Sequence, residues 1–202
     1  MGTVGDVAVL SREEFDAIEF DAAYTGDHKS AAERMSRLAE TGTQTESMPR
    51  AEAFVRAGEQ WLLADNPTAA ATDFRMAMAD GGPVVVDPRV PLCRALFQLG
   101  RPDEAYELIG KLKAEGRTDP RACDMLMELL VEQSDLPGAL DWATAGVELI
   151  LQGAGQSSLG LQDADSAQVD SYAGLRELLR LRYRIRNDLR LPEDEYDRML
   201  NA

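Results

Sequence analysis

The chain has 202 residues, 45% of them hydrophobic, 28% charged and only 6% aromatic. That is enough apolar material for a packed core and too much for general disorder. Thirty-six acids against 21 bases give a net charge of −15, which argues against bulk binding of nucleic acid or an anionic membrane. Two cysteines and one histidine exclude a disulfide framework and leave too few ligands for a Cys/His metal site.

The opening residues, Met1 to Asp6, lack a basic stretch followed by a long apolar one, so no secretory signal is expected. The most apolar tract, Gly138 to Leu151, is interrupted by Asp141 and Glu148 and is a poor membrane span. The expectation is a cytoplasmic protein without membrane contact.

Repetition organises the chain. Segments opening at Gly26, Asp65, Gly100 and Ser134 each begin with a turn residue and reach Ala31, Ala70, Ala105 and Ala139 five places on. The alanines are 39, 35 and 34 residues apart, the spacing of a stacked helical hairpin. Pro67, Pro102 and Pro137 are tolerated in a first helical turn, and the small alanine lets two helix axes approach.

In chain order, the first hairpin closes on Met35 and Leu38, and Thr41 to Arg50 reads as extra loop. Ala53 to Ala64 reads as a helix with Phe54, Ala57, Trp61 and Leu62 on one side, answered by Phe74 and Ala77 beyond the turn. A long link, Gly81 to Val86, leads to Val90–Leu99, with Leu92, Leu96 and Leu99, and then to Ile109 and Leu112. Cys123–Val131 carries Met127 and Leu130; Ala143 and Val147 follow, with Gly146 expected to weaken that last helix. Gln152 to Leu161, rich in Gly, Ser and Gln, reads as a flexible link. Asp165 to Leu189 then reads as one long helix, Pro192 stops it, and Glu193 to Leu200 forms a short final helix.

The run Phe54-Val55-Arg56-Ala57-Gly58-Glu59-Gln60-Trp61, followed by Ala70, Phe74 and Ala77, resembles the tetratricopeptide repeat family. Leu92, Leu96, Gly100, Ala105 and Ile109 continue the likeness, which covers roughly residues 12 to 150. The resemblance implies an all-α fold: a right-handed α-solenoid of about four helix-turn-helix pairs with a long C-terminal capping helix. Residues 1–151 would form the array, 152–164 the link, and 165–202 the arginine-rich helix plus the final one.

In that family the first helix of each pair lines a concave face. Carried over residue by residue, the face would present Glu52, Val55, Glu59 and Leu62, then Val90, Arg94 and Phe97, then Arg121, Asp124, Glu128 and Val131. Some members clamp a peptide carboxylate with Lys and Asn. Asp16, Phe20, Arg56, Asp87 and Pro91 stand at the matching places here, so that clamp is not expected. The implied partner is another protein, offering a basic or amphipathic segment held by apolar anchors and steered by acids. Self-association through an uncapped end of the array is left open.

Residues 171–190 hold six arginines against Glu177 and Asp188, a local +4. Arg176, Arg180 and Arg184 make one helical stripe, and Arg182, Arg186 and Arg190 a second. Two readings stand: a strip for RNA, phosphate or an acidic partner, or a helix docking its arginines onto the chain's own acidic array. With only Tyr172 and Tyr183 nearby, base stacking has little support.

No phosphate-loop, dinucleotide, nucleophile-elbow, zincin or EF-hand pattern occurs. His28 reads as a solvated turn residue, and Cys93 and Cys123 as small buried hydrophobes. The expectation is a non-enzyme without cofactor or metal, acting as a protein-interaction scaffold, with an RNA- or phosphate-associated adaptor as the alternative.

Overall fold

The computed structural model describes residues 9–116, 119–155 and 166–200, with side chains at all of these except 154–155 and 166–173. The described residues are all-helical; Val9 and Thr43 make an isolated parallel bridge, and no strand forms among them. The chain divides into two compact units, Met1–Lys111 and Leu112–Ala202.

The first unit holds α1 (Arg12–Thr25), α2 (His28–Thr41), α3 (Arg50–Leu63), α4 (Pro67–Asp80), α5 (Arg89–Gln98) and most of α6 (Pro102–Glu115). The second holds α7 (Pro120–Glu132), α8 (Leu136–Gly155), α9 (Ser166–Asp188) and α10 (Glu195–Met199). Helices adjacent in sequence pack against one another within each unit, as a helical repeat array requires.

The four repeated turns share one backbone solution. Gly26, Asp65, Gly100 and Ser134 all have positive φ, at 77°, 54°, 69° and 62°. Three of the turns close with the same bond across the helix end: Asn66, Arg101 and Asp135 donate their N–H to the carbonyls of Trp61, Leu96 and Leu130. That bond satisfies carbonyls a helix end would otherwise leave open. The next helix then starts on a side-chain cap, Asp27, Asn66 or Asp135 accepting from the N–H three residues on. Arg101 stands in the cap's place in the third turn and forks onto Glu104 instead, at 2.5 and 2.6 Å.

Ala31, Ala70, Ala105 and Ala139 each occupy the fourth position of their helices and are 7%, 0%, 0% and 0% exposed. The same residue thus does the same work in all four hairpins. Gly58 does it more severely: a Cβ there would stand 2.5 Å from the Phe74 ring.

Several expectations change in detail. Gly146 marks a close approach rather than a weak point, since a Cβ there would lie 2.8 Å from Leu178 and 3.1 Å from Cys123. The Thr41–Arg50 loop is fastened to the segment before α1. Leu10 N–H donates to Thr43 O at 2.8 Å, the Thr45 hydroxyl donates to Leu10 O, and Met48 is buried. Helix α8 runs through Gly155, into the stretch expected as a link, whose remaining residues 156–161 lie outside the described ones. Helix α9 covers α8 with Leu175, Leu178, Leu179 and Ile185, as a terminal element should. No helix among the described residues is long and apolar enough to cross a membrane.

Candidate functional site

Three of the residues singled out in the sequence, Glu128, Val131 and Arg184, come together in the second unit. With Met127, Glu132, Leu136, Leu181, Ile185 and Asp188 they line a groove of about 400 Å³ between α7 and α9. Both helices turn a stripe toward it: Met127, Val131 and Glu128 from α7, and Leu181, Arg184, Ile185 and Asp188 from α9. Val131 is 42% exposed, an apolar side chain left in water beside a half-buried Leu181. Higher up the same pair of helices, burial raises the Asp124 carboxyl above its usual range and Glu177 adds like-charge repulsion. Acids therefore rim an apolar floor.

Leu136, Leu181, Ile185 and Asp188 were not singled out for this role. The sequence shows arginine stripes on α9, but nothing in the periodicity says which helix its other faces meet.

The remaining face residues have other places. Val55 and Val90 are buried, at 3% and 2% exposure, and contribute to the core rather than to a face. Helix α3 is packed on both sides by α2 and α4, so most of its circumference is covered. Glu52 accepts the Val85 N–H at 2.8 Å and pins the long link before α5. Phe97 meets Tyr106 edge to face, with ring centroids 5.3 Å apart. Glu59, Leu62 and Arg94 are half-buried, and Arg121 is exposed. His28, expected as a solvated turn residue, is the half-buried first residue of α2, with Nδ1 2.9 Å from Gln60 Oε1. Arg56 reaches from α3 to Asp16 and Glu19 of α1 and lies over the Phe15 ring. Burial works against the Arg56 cation, yet the hydrogen bonds from it to Glu19 and Asp16 outweigh burial and hold its pKa above the ordinary arginine value.

The two arginine stripes part company. Arg176, Arg180 and Arg184 are exposed. Arg182 is 3% exposed, donating to Thr144 Oγ1 at 3.0 Å, to Asp194 at 3.0 and 2.5 Å, and to Asp197 at 3.1 Å. Arg186 adds bonds to Asp197 and to the Pro192 carbonyl. The docking partner of this stripe is chiefly the final helix, not the acidic array. Cys93 and Cys123 are buried and form no disulfide, and burial pushes the Cys93 thiol up to about 12.

One buried carboxyl stands apart. Asp73 of α4, 6% exposed, accepts the Ser36 hydroxyl at 2.6 Å, and Trp61 Nε1 donates to Ser36 Oγ at 3.0 Å. Burial raises its pKa to about 6, with Glu40 adding to the rise and the hydrogen bonds opposing it. Folding therefore takes up a proton between about pH 4 and pH 6. Stability is highest below that window, falls through it, and stays lower above. Asp73→Asn keeps an acceptor for Ser36 and removes the charge, so it should stabilise the fold by about 1–2 kcal/mol at pH 7 and by little at pH 4. Urea unfolding at the two pH values checks this; an equal gain at both would contradict it.

Among the described residues no group of three or more His, Cys, Asp or Glu side chains is arranged to hold a metal ion. No family model matches the chain, and no curated protein matches it either.

Proposed function

We propose that the chain is a non-catalytic interaction scaffold of tetratricopeptide-like repeats, holding a basic, amphipathic segment of another protein in the α7–α9 groove. The observation that carries this reading is the groove itself. Its apolar floor of Met127, Val131, Leu136, Leu181 and Ile185 is bordered by Glu128, Glu132 and Asp188, with Arg184 the one cation among the described lining residues. Apolar anchors supply affinity in such a groove, and the acids favour lysine or arginine at the partner's edge. Two buried cysteines outside any disulfide suit a reducing, cytoplasmic setting. The alternative, a strip of Arg176, Arg180 and Arg184 for RNA or phosphate, keeps its three exposed side chains, while Arg182 and Arg186 are engaged by Asp194 and Asp197 and add nothing to it.

Peptides selected from a random display library on the immobilised protein test the reading. They should carry apolar residues at helical spacing flanked by Lys or Arg. Val131→Glu should weaken a selected peptide about tenfold by titration calorimetry. Peptides without that pattern, or with undiminished affinity for the variant, would overturn it.

A further inference from the structure

We propose that the protein associates head to tail, the exposed arginine stripe of α9 in one copy lying along the outer face of α1 in the next. Helix α1 leaves Phe20 and Tyr24 exposed at 77% and 86%, four residues apart on one stripe. Beside them runs a second exposed stripe, Glu13, Ala17 and Asp21. Adjacent large aromatic side chains standing in water form the kind of apolar patch that contact surfaces use. Helix α1 holds five acids and one arginine, and Ala17 and Asp21 also border a groove of about 410 Å³ against α2. The cation in that groove, Arg34, is already tied to Glu14 at 2.7 Å.

Helix α9 has the opposite character, with five arginines against three acids. Arg176, Arg180 and Arg184 on α9 are exposed and repeat at the same four-residue step as the α1 stripes. Two helices with that step present groups about 6 Å apart along their axes, so the stripes match in pitch. Guanidinium groups fork onto carboxylates and stack on aromatic faces, the two kinds of group α1 offers. A foreign basic segment could meet the same face. The second copy is assigned because this sequence itself supplies the basic stripe, with matching spacing, in an otherwise acidic chain. The two surfaces differ, so the contact is heterologous, joining unlike patches in a ring or an open chain.

The test is sedimentation of the full chain across a concentration series at low and high salt. Weight-average mass should climb past twice the 22.1 kDa of one chain at low salt and fall back at high salt. Arg176→Glu with Arg180→Glu, and separately Glu13→Arg with Asp21→Arg, should each weaken association about tenfold. An equimolar mixture of these two variants re-pairs acid with arginine at every junction and should restore assembly. Phe20→Ala with Tyr24→Ala provides a neutral probe of the same face, and far-ultraviolet dichroism checks folding. A monomer at every concentration, a closed dimer indifferent to these changes, or a mixture that stays dissociated would overturn the proposal. All the altered side chains lie outside the α7–α9 groove; Arg184 belongs to both the stripe and the groove, so peptide binding is read on the dissociated variants and reports separately there.

Discussion

Replacing Arg182 with Ala should cost about 3–5 kcal/mol, because it strips a buried cation from two carboxylates that remain. Asp197 is 3% exposed and Asp194 lies beside it; both are held by Arg182 and Arg186. The same two acids build α10. Asp194 caps the N–H groups of Tyr196 and Asp197, and Asp197 accepts the Asp194 N–H at 3.0 Å. A five-residue helix cannot stand on its own hydrogen bonds, so the ion cluster and the contact of Arg182 over the Tyr196 ring, 4.8 Å from its centroid, hold it in place.

The pH dependence carries the same signature. The Arg182 hydrogen bond lowers the Asp194 carboxyl to about 2. Its contribution is complete above about pH 4 and is lost as pH falls toward 2. In Arg182→Ala that acid-limb slope should flatten, and the C-terminal residues should become accessible to protease. Arg180→Ala, two residues away on the exposed stripe, should change stability by less than about 0.5 kcal/mol. Equal effects at the two positions would contradict the division between the stripes.

Gly58→Ala should destabilise the first unit by about 3 kcal/mol despite the better helix propensity of alanine. Propensity alone would favour the change by about 1 kcal/mol. Against that, the added methyl would meet three atoms of the Phe74 ring at 2.5, 2.8 and 2.8 Å. Phe74 is fully buried and has no free volume to retreat into, so α3 and α4 must part. Phe74→Leu in the Gly58→Ala background should recover part of the loss, and denaturant unfolding of the four members of the cycle measures that coupling. A neutral or stabilised Gly58→Ala would show that the helices are not in this close contact.

Much of the architecture was legible because a repeat states the same constraint several times. One alanine five residues after a turn proves little; four of them at a steady period place four hairpins, and all four prove buried at the same helical position. The turn chemistry was legible too, although Asp65 and Ser134 take the left-handed conformation where glycine serves at Gly26 and Gly100.

The site was less legible. A helix covered on two sides buries side chains at most angles, so Val55 on α3 could not be told from a face residue by spacing alone, and Val90 at the start of α5 is buried as well. The two arginine stripes look alike in sequence. What separates them is Asp194 and Asp197, beyond Pro192 in a helix too short to show a period. Gly146 reads as a local weakness, and only its neighbours Leu178 and Cys123 reveal why no larger residue stands there.

Methyl-resolved NMR of the full chain, titrated with a library-selected basic amphipathic peptide, addresses the groove most directly. Perturbations gathered on Val131, Leu136, Leu181 and Ile185 are the predicted result. A response centred instead on α1 to α4, or no response at those four methyl-bearing residues at saturation, would contradict the assignment of the α7–α9 groove as the place where a partner is held.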